Sequence, residues 1–426
     1  MQSIILPVAE LKPALVGLGK VLNRHSGLPV LGSVKVERTS EGWIALTVTD
    51  LDHYATVRLE QPSQGDPLCV LVPFEELLRT TKTCGKGEEL HIEPNGKDAV
   101  VIKYAIGQQM AERNVESFPV EEFPPTPRIK ADPVVVDGRL RSAIHEALEC
   151  ASSDETRLIL NGAYIDVSDT RCHNVVGTDG RHLYSSNSFN LPLSKSLLIP
   201  GHKFLGWKEF SNDGEWQLKV GPEENPNDPP PFQISSRRWR FITKQIAGNY
   251  PNWRQVVPGG GSMASSFEFD PEAVAAVIQA VQRMPCHDAV NLTIGLEISG
   301  AKLWLLGRSP TAEKWTRVEI AALKCSGKDM TIFLNRNLLA KALGFGLRTV
   351  EIIDALSPLR FSSEGRQMIV MPVRSEAPSP QSTDEAEESQ DEPETINTEQ
   401  PAAPLAAAPI ETTPMVNDTT GTRDST

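Results

Sequence analysis

Apolar residues recur at three- and four-residue steps in three separate stretches, residues 8–24, 139–151 and 271–284. That spacing lines one face of a helix. The three stretches start about 130 residues apart. After each comes a run of alternating apolar and polar positions, which predicts strands with one buried face. Later in each unit a strand-like run leads into a second short helix: VPFEELLRTT from Val72, IPGHKFLGWK from Ile199 and FLNRNLLAKAL from Phe333. Three copies of one order (helix, strands, helix, strands) predict an α+β protein of three similar domains, with sheet and helices packed in layers. Turn-rich segments at 124–133 and 258–266 predict the boundaries. The expected domains are 1–127, 128–258 and 259–375. Residues 376–426 are rich in Pro, Ala, Ser, Thr and Glu and contain no aromatic residue. Such a segment cannot bury enough surface to offset its ordering entropy, so a disordered acidic tail is predicted.

Charge changes this picture only after it is divided. The whole chain carries −13, but residues 376–426 hold twelve acidic residues against one basic residue, Arg423. The remaining body carries −2 and can still present a basic face, so a nucleic-acid partner is not excluded. No apolar run approaches the ~20 residues that span a bilayer. The opening MQSIILPVAELK has no basic leader and no cleavage-site pattern, so a cytoplasmic location is expected. Six scattered cysteines without CxxC spacing read as free thiols.

Catalytic patterns are missing from the sequence. Gly259, Gly260 and Gly261 are not followed by Lys-Ser/Thr, so they form no phosphate loop, and they read as a linker. There is no GxSxG and no HExxH. Cys172-His173 and Cys286-His287 are adjacent pairs, and neighbours in a strand point to opposite faces. The pairs Thr49-Asp50 and Thr178-Asp179 end two strand-like runs and read as structural turns. No enzyme, cofactor or metal site is expected.

Five motifs then carry a resemblance: LPVLGS at 28–33, LILNGAYID at 158–166, VVGTDGRHLYSSN at 175–187, FITKQIAGNYPNWRQVVP at 241–258 and MIVMPVR at 368–374. In this order, on three repeats of this length, they resemble the beta sliding clamp, the beta subunit of bacterial DNA polymerase III. The resemblance covers about residues 1–374. Each motif alone is weak; the set in order is specific.

The resemblance implies a DNA-clamp fold and a head-to-tail homodimer. Six domains would form a ring around double-stranded DNA, with helices lining the interior and sheets outside. Such a ring is a processivity factor. It tethers the DNA polymerase III catalytic subunit, the clamp loader and other proteins that carry a clamp-binding motif. The alternative is a clamp-like adaptor or paralogue that binds protein partners without encircling DNA. Sequence-independent phosphate contacts suit a sliding ring. The DNA-facing candidates are Lys12, Lys20, Arg24, Arg79, Lys82 and Lys86 in the first domain. Arg139, Arg141 and Lys203 follow in the second, and Arg336 and Lys341 in the third. Glu146 and Glu149 oppose a uniformly basic lining.

The resemblance also implies a peptide pocket between the second and third domains. Its floor would be Leu160, Thr178, Gly180, Leu183, Pro251, Val256, Ile369, Val370, Met371 and Pro372. Arg181, His182 and Arg374 would stand at its rim. Three departures touch this site: Gln255 stands where the family often has Arg, Arg181-His182 reverses a common pair, and the chain continues past Arg374 at Ser375. Residues 108–119 are expected to supply an outer strand at the ring-closing edge, with Met110, Arg113 and Val115 toward the partner copy.

Overall fold

The computed structural model describes residues 3–24, 26–223, 229–259, 263–286 and 288–374. The predicted tail lies outside the described residues, as do His287 and the linker glycines Gly260 and Gly261.

One order of elements occurs three times. The first copy runs β1 (Ile4–Pro7), α1 (Val8–Leu18), β2 (Ser33–Arg38), β3 (Ile44–Thr49), β4 (His53–Arg58), β5 (Leu68–Pro73), α2 (Phe74–Thr83), β6 (Glu89–Pro94), β7 (Ala99–Ile106) and β8 (Gln109–Glu116). The second runs β9 (Val134–Val136), α3 (Gly138–Cys150), β10 (Gly162–Asp166), β11 (His173–Thr178), β12 (His182–Phe189), β13 (Leu197–Pro200), α4 (Lys208–Ser211), β14 (Trp216–Val220), β15 (Pro231–Ser235) and β16 (Trp239–Lys244). The third runs β17 (Ser265–Phe269), α5 (Val274–Arg283), β18 (Thr293–Ser299), β19 (Lys302–Gly307), β20 (Thr316–Ile320), β21 (Ala322–Gly327), β22 (Met330–Asn335), α6 (Arg336–Gly344), β23 (Thr349–Ile352), β24 (Leu359–Ser363) and β25 (Arg366–Val370). Its one addition is β21, which pairs with β17.

Local chemistry explains where the helices start and stop. Asp137 caps α3 by accepting from the Leu140 N–H at 2.7 Å, and Asn335 caps α6 by accepting from the Asn337 N–H at 2.8 Å. Two expectations need correction. The first helix ends at Leu18 rather than near Arg24, because Gly19, a poor helix former, opens a turn there. The strand expected from Ile199 is the end of β13, but turns follow it where the helix was expected, and α4 is a single turn at Lys208–Ser211. Phe204, Trp207 and Phe210 have helical spacing, but they serve an aromatic cluster whose ring centroids lie 4.7–5.9 Å apart.

The strands form four antiparallel sheets. Two stand within single repeats, in the orders β1-β6-β7-β8 and β20-β19-β18-β22. Two cross repeats, β5-β2-β3-β4-β16-β15-β14-β9 and β13-β10-β11-β12-β25-β24-β23-β17-β21. The crossings follow one rule: the fourth strand of a repeat pairs with the last strand of the next. At the first seam, β4 pairs with β16 from His53↔Thr243 to Val57↔Trp239. At the second, β12 pairs with β25 from His182↔Val370 to Ser186↔Arg366.

The two seams are packed differently. One apolar core runs through the first and second repeats, whereas the third has its own. At the first seam, a Cβ on Gly17 of α1 would overlap the rings of both Trp207 and Trp239, so only glycine allows this approach. His53 and His202 stack there at 4.4 Å, and His202 stacks on Phe241 at 5.2 Å. The second seam buries Leu183 against Ile369 and adds polar contacts. Arg366 meets Glu146 at 2.9 Å, Gln367 donates to Ser185 at 3.0 Å, and Lys341 donates to the Glu149 carbonyl at 2.6 Å.

Gly17→Ala should destabilise the protein by about 1–3 kcal/mol through overpacking, read from urea unfolding midpoints. The first seam should also respond to acid. Burial, assisted by the adjacent His53, pulls the His202 imidazole down to about 4, while Asp50 opposes that shift. Its folded pKa lies below the ordinary ~6.5. Its contribution to stability is therefore present above about pH 6.5 and is lost as pH falls toward 4. His202→Phe keeps an aromatic ring in the stack, so the fall in melting temperature between pH 7 and pH 4.5 should shrink in this variant.

Candidate functional surfaces

An apolar cluster sits on one face of the second seam. Leu183 of β12 and Ile369 of β25 are direct cross-strand partners, so their side chains share that face. Val176 and Trp253 complete the buried cluster, with Tyr164, Tyr250 and Val257 packed against it. Tyr164 and Tyr250 stack with centroids 4.4 Å apart. The Trp253 indole N–H donates to Asp166 at 2.8 Å, and Arg254 donates to the same oxygen at 2.5 Å. Arg254 also lies over the Trp253 ring, 4.5 Å from its centroid. Burial pushes the Asp166 carboxyl up, but hydrogen bonds from Ser168, Trp253 and Arg254 outweigh it and hold the group below its ordinary value. Asp166 thus fixes the segment that carries Trp253 against the sheet.

The residues around this cluster divide by exposure. Met371 is 47% exposed, Val256 49% and Leu158 63%, an unusual set of solvent-facing apolar side chains. Gly180, Arg181, Pro251, Gln255 and Arg374 are exposed, and Leu160, Thr178 and Pro372 are half-buried. Two sequence expectations fail on strand alternation. Val370 neighbours Ile369, points to the opposite face and belongs to the core of the third repeat, so it is no part of an apolar floor on this side. His182, its cross-strand partner, is buried at 5% exposure rather than standing at a rim. Its Nδ1 lies 2.8 Å from Asp179, and its Nε2 lies 3.5 Å from the Lys341 ammonium.

The Thr178-Asp179 pair is a structural turn. Asp179 accepts from the N–H groups of Arg181 and His182 at 2.8 and 2.9 Å, while Gly180 adopts φ +84°. Burial raises the Asp179 carboxyl, but the bond from His182 and these N–H donors bring it down to about 2. Val176, Tyr164, Tyr250 and Trp253 join the cluster beyond the residues that the sequence motifs imply. The aromatic pair in NYPNWRQVVP is the available signal, since Tyr250 precedes the expected Pro251 and Trp253 lies between Pro251 and Gln255.

Most of the expected DNA-facing cations are already engaged. Lys12 donates to the Cys84 carbonyl at 2.8 Å, and Arg141 to the Gly214 carbonyl at 3.0 Å. Arg336 binds the Gln282 and Met284 carbonyls at 3.0 and 2.9 Å, beside the end of α5. Lys341 binds the Glu149 carbonyl across the second seam, so it acts as a tie between repeats. Arg24 pairs with Glu75 at 3.2 Å, Arg79 pairs with Glu76 at 3.0 Å, and Lys20 lies over the Trp207 ring. Lys82, Lys86, Arg139 and Lys203 are exposed and make no hydrogen bond or ion pair among the described residues.

Other chemistry is accounted for structurally. His173 accepts from the Leu191 N–H at 2.9 Å, and all six cysteines are free thiols. Among the described residues no group of three or more His, Cys, Asp or Glu side chains is placed to hold a metal ion. No helix there is long and apolar enough to cross a membrane.

No family model matches the chain. It is 22% identical over 372 residues to the beta sliding clamp of Streptococcus pneumoniae, covering 83% of this chain and 94% of that protein. It is also 22% identical over 383 residues to the beta sliding clamp of Pseudomonas putida, covering 86% and 98%. Among solved structures, the beta subunit from DNA polymerase of Streptococcus pyogenes superposes with a TM-score of 0.75 at 20% identity, covering 88% of this chain and all of that one. The DNA polymerase III subunit beta from Pseudomonas aeruginosa gives 0.72 at 19% identity with the same coverage. The chain has the DNA-clamp fold.

In this clamp fold the strand rule leaves two edges unmet. β8 ends the sheet of the first repeat, and β20 ends a sheet of the third. β20 is the fourth strand of its repeat and β8 the last strand of its own, the two classes that pair at both seams. Side chains along them are mostly exposed, including Met110 at 57% and Val318 at 38%. Of the residues expected at this edge, Met110 is exposed, Val115 is buried, and Arg113 is bound to Glu76 at 2.7 Å.

Asp166→Ala should cost about 1–3 kcal/mol, because it leaves the buried Trp253 N–H without its acceptor. Urea unfolding of the two proteins measures this directly.

Proposed function

We propose that two copies of this chain close head to tail into a ring of six repeats that encircles double-stranded DNA and tethers partner proteins to it. The observation that carries this reading is the pair of free edges. β8 and β20 are the two strands that the internal pairing rule would join, and they belong to opposite ends of the repeat series. A heterologous contact of that kind closes into a ring where the rotation between copies allows it, and the proposed ring of six repeats takes two copies. The domains would run 1–127, 128–258 and 259–375, and the names of the similar proteins, beta sliding clamps, support the same reading.

Topology replaces affinity in such a device. A closed ring cannot leave DNA sideways, so its grip can be weak and independent of sequence. The four unengaged cations, Lys82, Lys86, Arg139 and Lys203, are the best supported phosphate contacts. The protein would act without catalysis, in the cytoplasm, as a processivity factor. Short peptides from the DNA polymerase III catalytic subunit, the clamp loader and other clamp-binding proteins would dock at the second seam. There Leu183, Ile369 and Trp253 give a buried apolar base, and Met371 and Val256 an exposed margin. Methionine adapts its shape to varied peptides, which suits a site shared among partners.

The test combines mass with topology. The protein in solution should show twice 46.6 kDa. Loaded on nicked circular DNA by a cognate clamp loader, it should stay bound through a salt wash and be released when the circle is cut. Val318→Asp sets a new carboxylate on β20 against a β8 edge that already carries Glu112 and Glu116. It should return the protein to 46.6 kDa and abolish retention. A wild-type chain that stays monomeric at micromolar concentration, or that remains bound after the cut, would rule the ring out.

A further inference from the structure

We propose that the outer face of the first seam is a docking groove for an acidic, extended peptide of a partner protein. The groove has a volume of about 860 Å³ and is built from both repeats. A single cross-strand row forms its floor: Lys35, Thr47, Thr56, Arg240, Ser235 and Gln217, each paired in register with the next. Paired residues in an antiparallel sheet point to the same face, so the row is continuous across the β4–β16 seam. One wall is the connecting segment 125–128, anchored where Ile129 packs on Tyr54 and Ile242. The turns between β2 and β3 and between β15 and β16 contribute the other wall.

Charge identifies the occupant. Seven cations and two carboxylates line the groove, although the chain as a whole is acidic. Lys35 is taken by Glu37, and Arg237 and Arg238 are taken by Glu60 and Asp213. Arg58, Arg128, Lys219 and Arg240 meet no carboxylate among the described residues. Arg58 lies on the Trp43 ring, 4.7 Å from its centroid, which steadies the guanidinium without using up its N–H donors. Arginine offers a fork that fits a carboxylate in two bonds. Thr47 and Thr56 bond to each other at 3.0 Å, so Ser235 and the Gln217 amide are the polar groups of the row that can serve a peptide backbone.

The same features disfavour a nucleic-acid strand. Single strands bind by stacking bases on open aromatic faces. Here one face of Trp43 is covered by Arg58, and Trp239 is buried at 3% exposure. The six-strand row spans five gaps of about 4.8 Å, roughly 24 Å, a distance that about seven extended residues cover.

The experiment uses the full chain and a fluorescent peptide of alternating glutamate and serine, with a glutamine-for-glutamate version and an oligothymidylate of matching length as the other arms. The acidic peptide should bind, lose affinity as salt is added, and lose about tenfold or more in the double variant Arg58→Gln/Arg240→Gln. Arg128→Gln/Lys219→Gln should also weaken it, which keeps the test open if the first pair misfolds by melting temperature. Equal binding of the glutamine peptide, unchanged affinity in folded variants, or preferential binding of the oligothymidylate with the same variant dependence would each overturn the proposal.

Discussion

Backbone pairing at the ends of strands governs this molecule. An N–H or C=O removed from water without a partner costs free energy comparable to a lost hydrogen bond, so a sheet edge is either paired, covered or a liability. The chain meets that constraint twice by the same device, joining the fourth strand of one repeat to the last strand of the next. Three small α+β units thereby become two long sheets and two short ones. The pattern that builds the interior leaves β8 and β20 as the remaining ends of the series, and the proposed ring extends one internal rule to a second copy.

The seams obey one pairing rule but are stabilised by different physics. The first is tight and aromatic, with Gly17 allowing α1 to reach Trp207 and Trp239 and a histidine stack beside them. The second adds polar ties to its buried Leu183–Ile369 contact: Arg366 with Glu146, Gln367 with Ser185 and Lys341 with a carbonyl. The desolvation of such ties offsets much of their attraction. The apolar cluster that forms the candidate peptide site lies on the second seam. Met371 and Val256 stay in water at its margin, while Leu183 and Ile369 beneath them are buried against each other across the seam.

Much of this organisation is legible in the sequence, and the misses have physical causes. Threefold periodicity gives the repeats because each helix and strand alternation is a local signal. The middle repeat's second helix is shorter and later than the analogy with the other two repeats predicts: turns follow β13, and α4 is a single turn at Lys208–Ser211. Pro200 and Gly201 were the warning, since neither sustains a helix. Val370 and His182 fall outside the site because a motif is a continuous string, whereas a strand sends neighbours to opposite faces. Trp253 is missed for the converse reason: its importance comes from Asp166, eighty-seven positions away, and no local pattern reports such a pair. The seams themselves are backbone contacts, and backbone hydrogen bonds leave little trace in side-chain identity.

The engagement of the cations bears on how a ring of this kind can move. Of the eleven basic residues that the sequence placed toward DNA, seven are bound to carbonyls, carboxylates or an aromatic ring. An engaged cation contributes less to phosphate binding, because a contact to DNA must first break or share the internal one. Each phosphate neutralised steepens the salt dependence and deepens the wells between which a sliding protein must hop. In the proposed ring, an interior whose expected contacts include four cations unengaged among the described residues would give a shallow, sequence-blind attraction. Topology then supplies retention, and weak binding supplies motion. Strengthening the interior would improve the first very little while impeding the second, so a sparse basic lining is what the proposed mechanism requires.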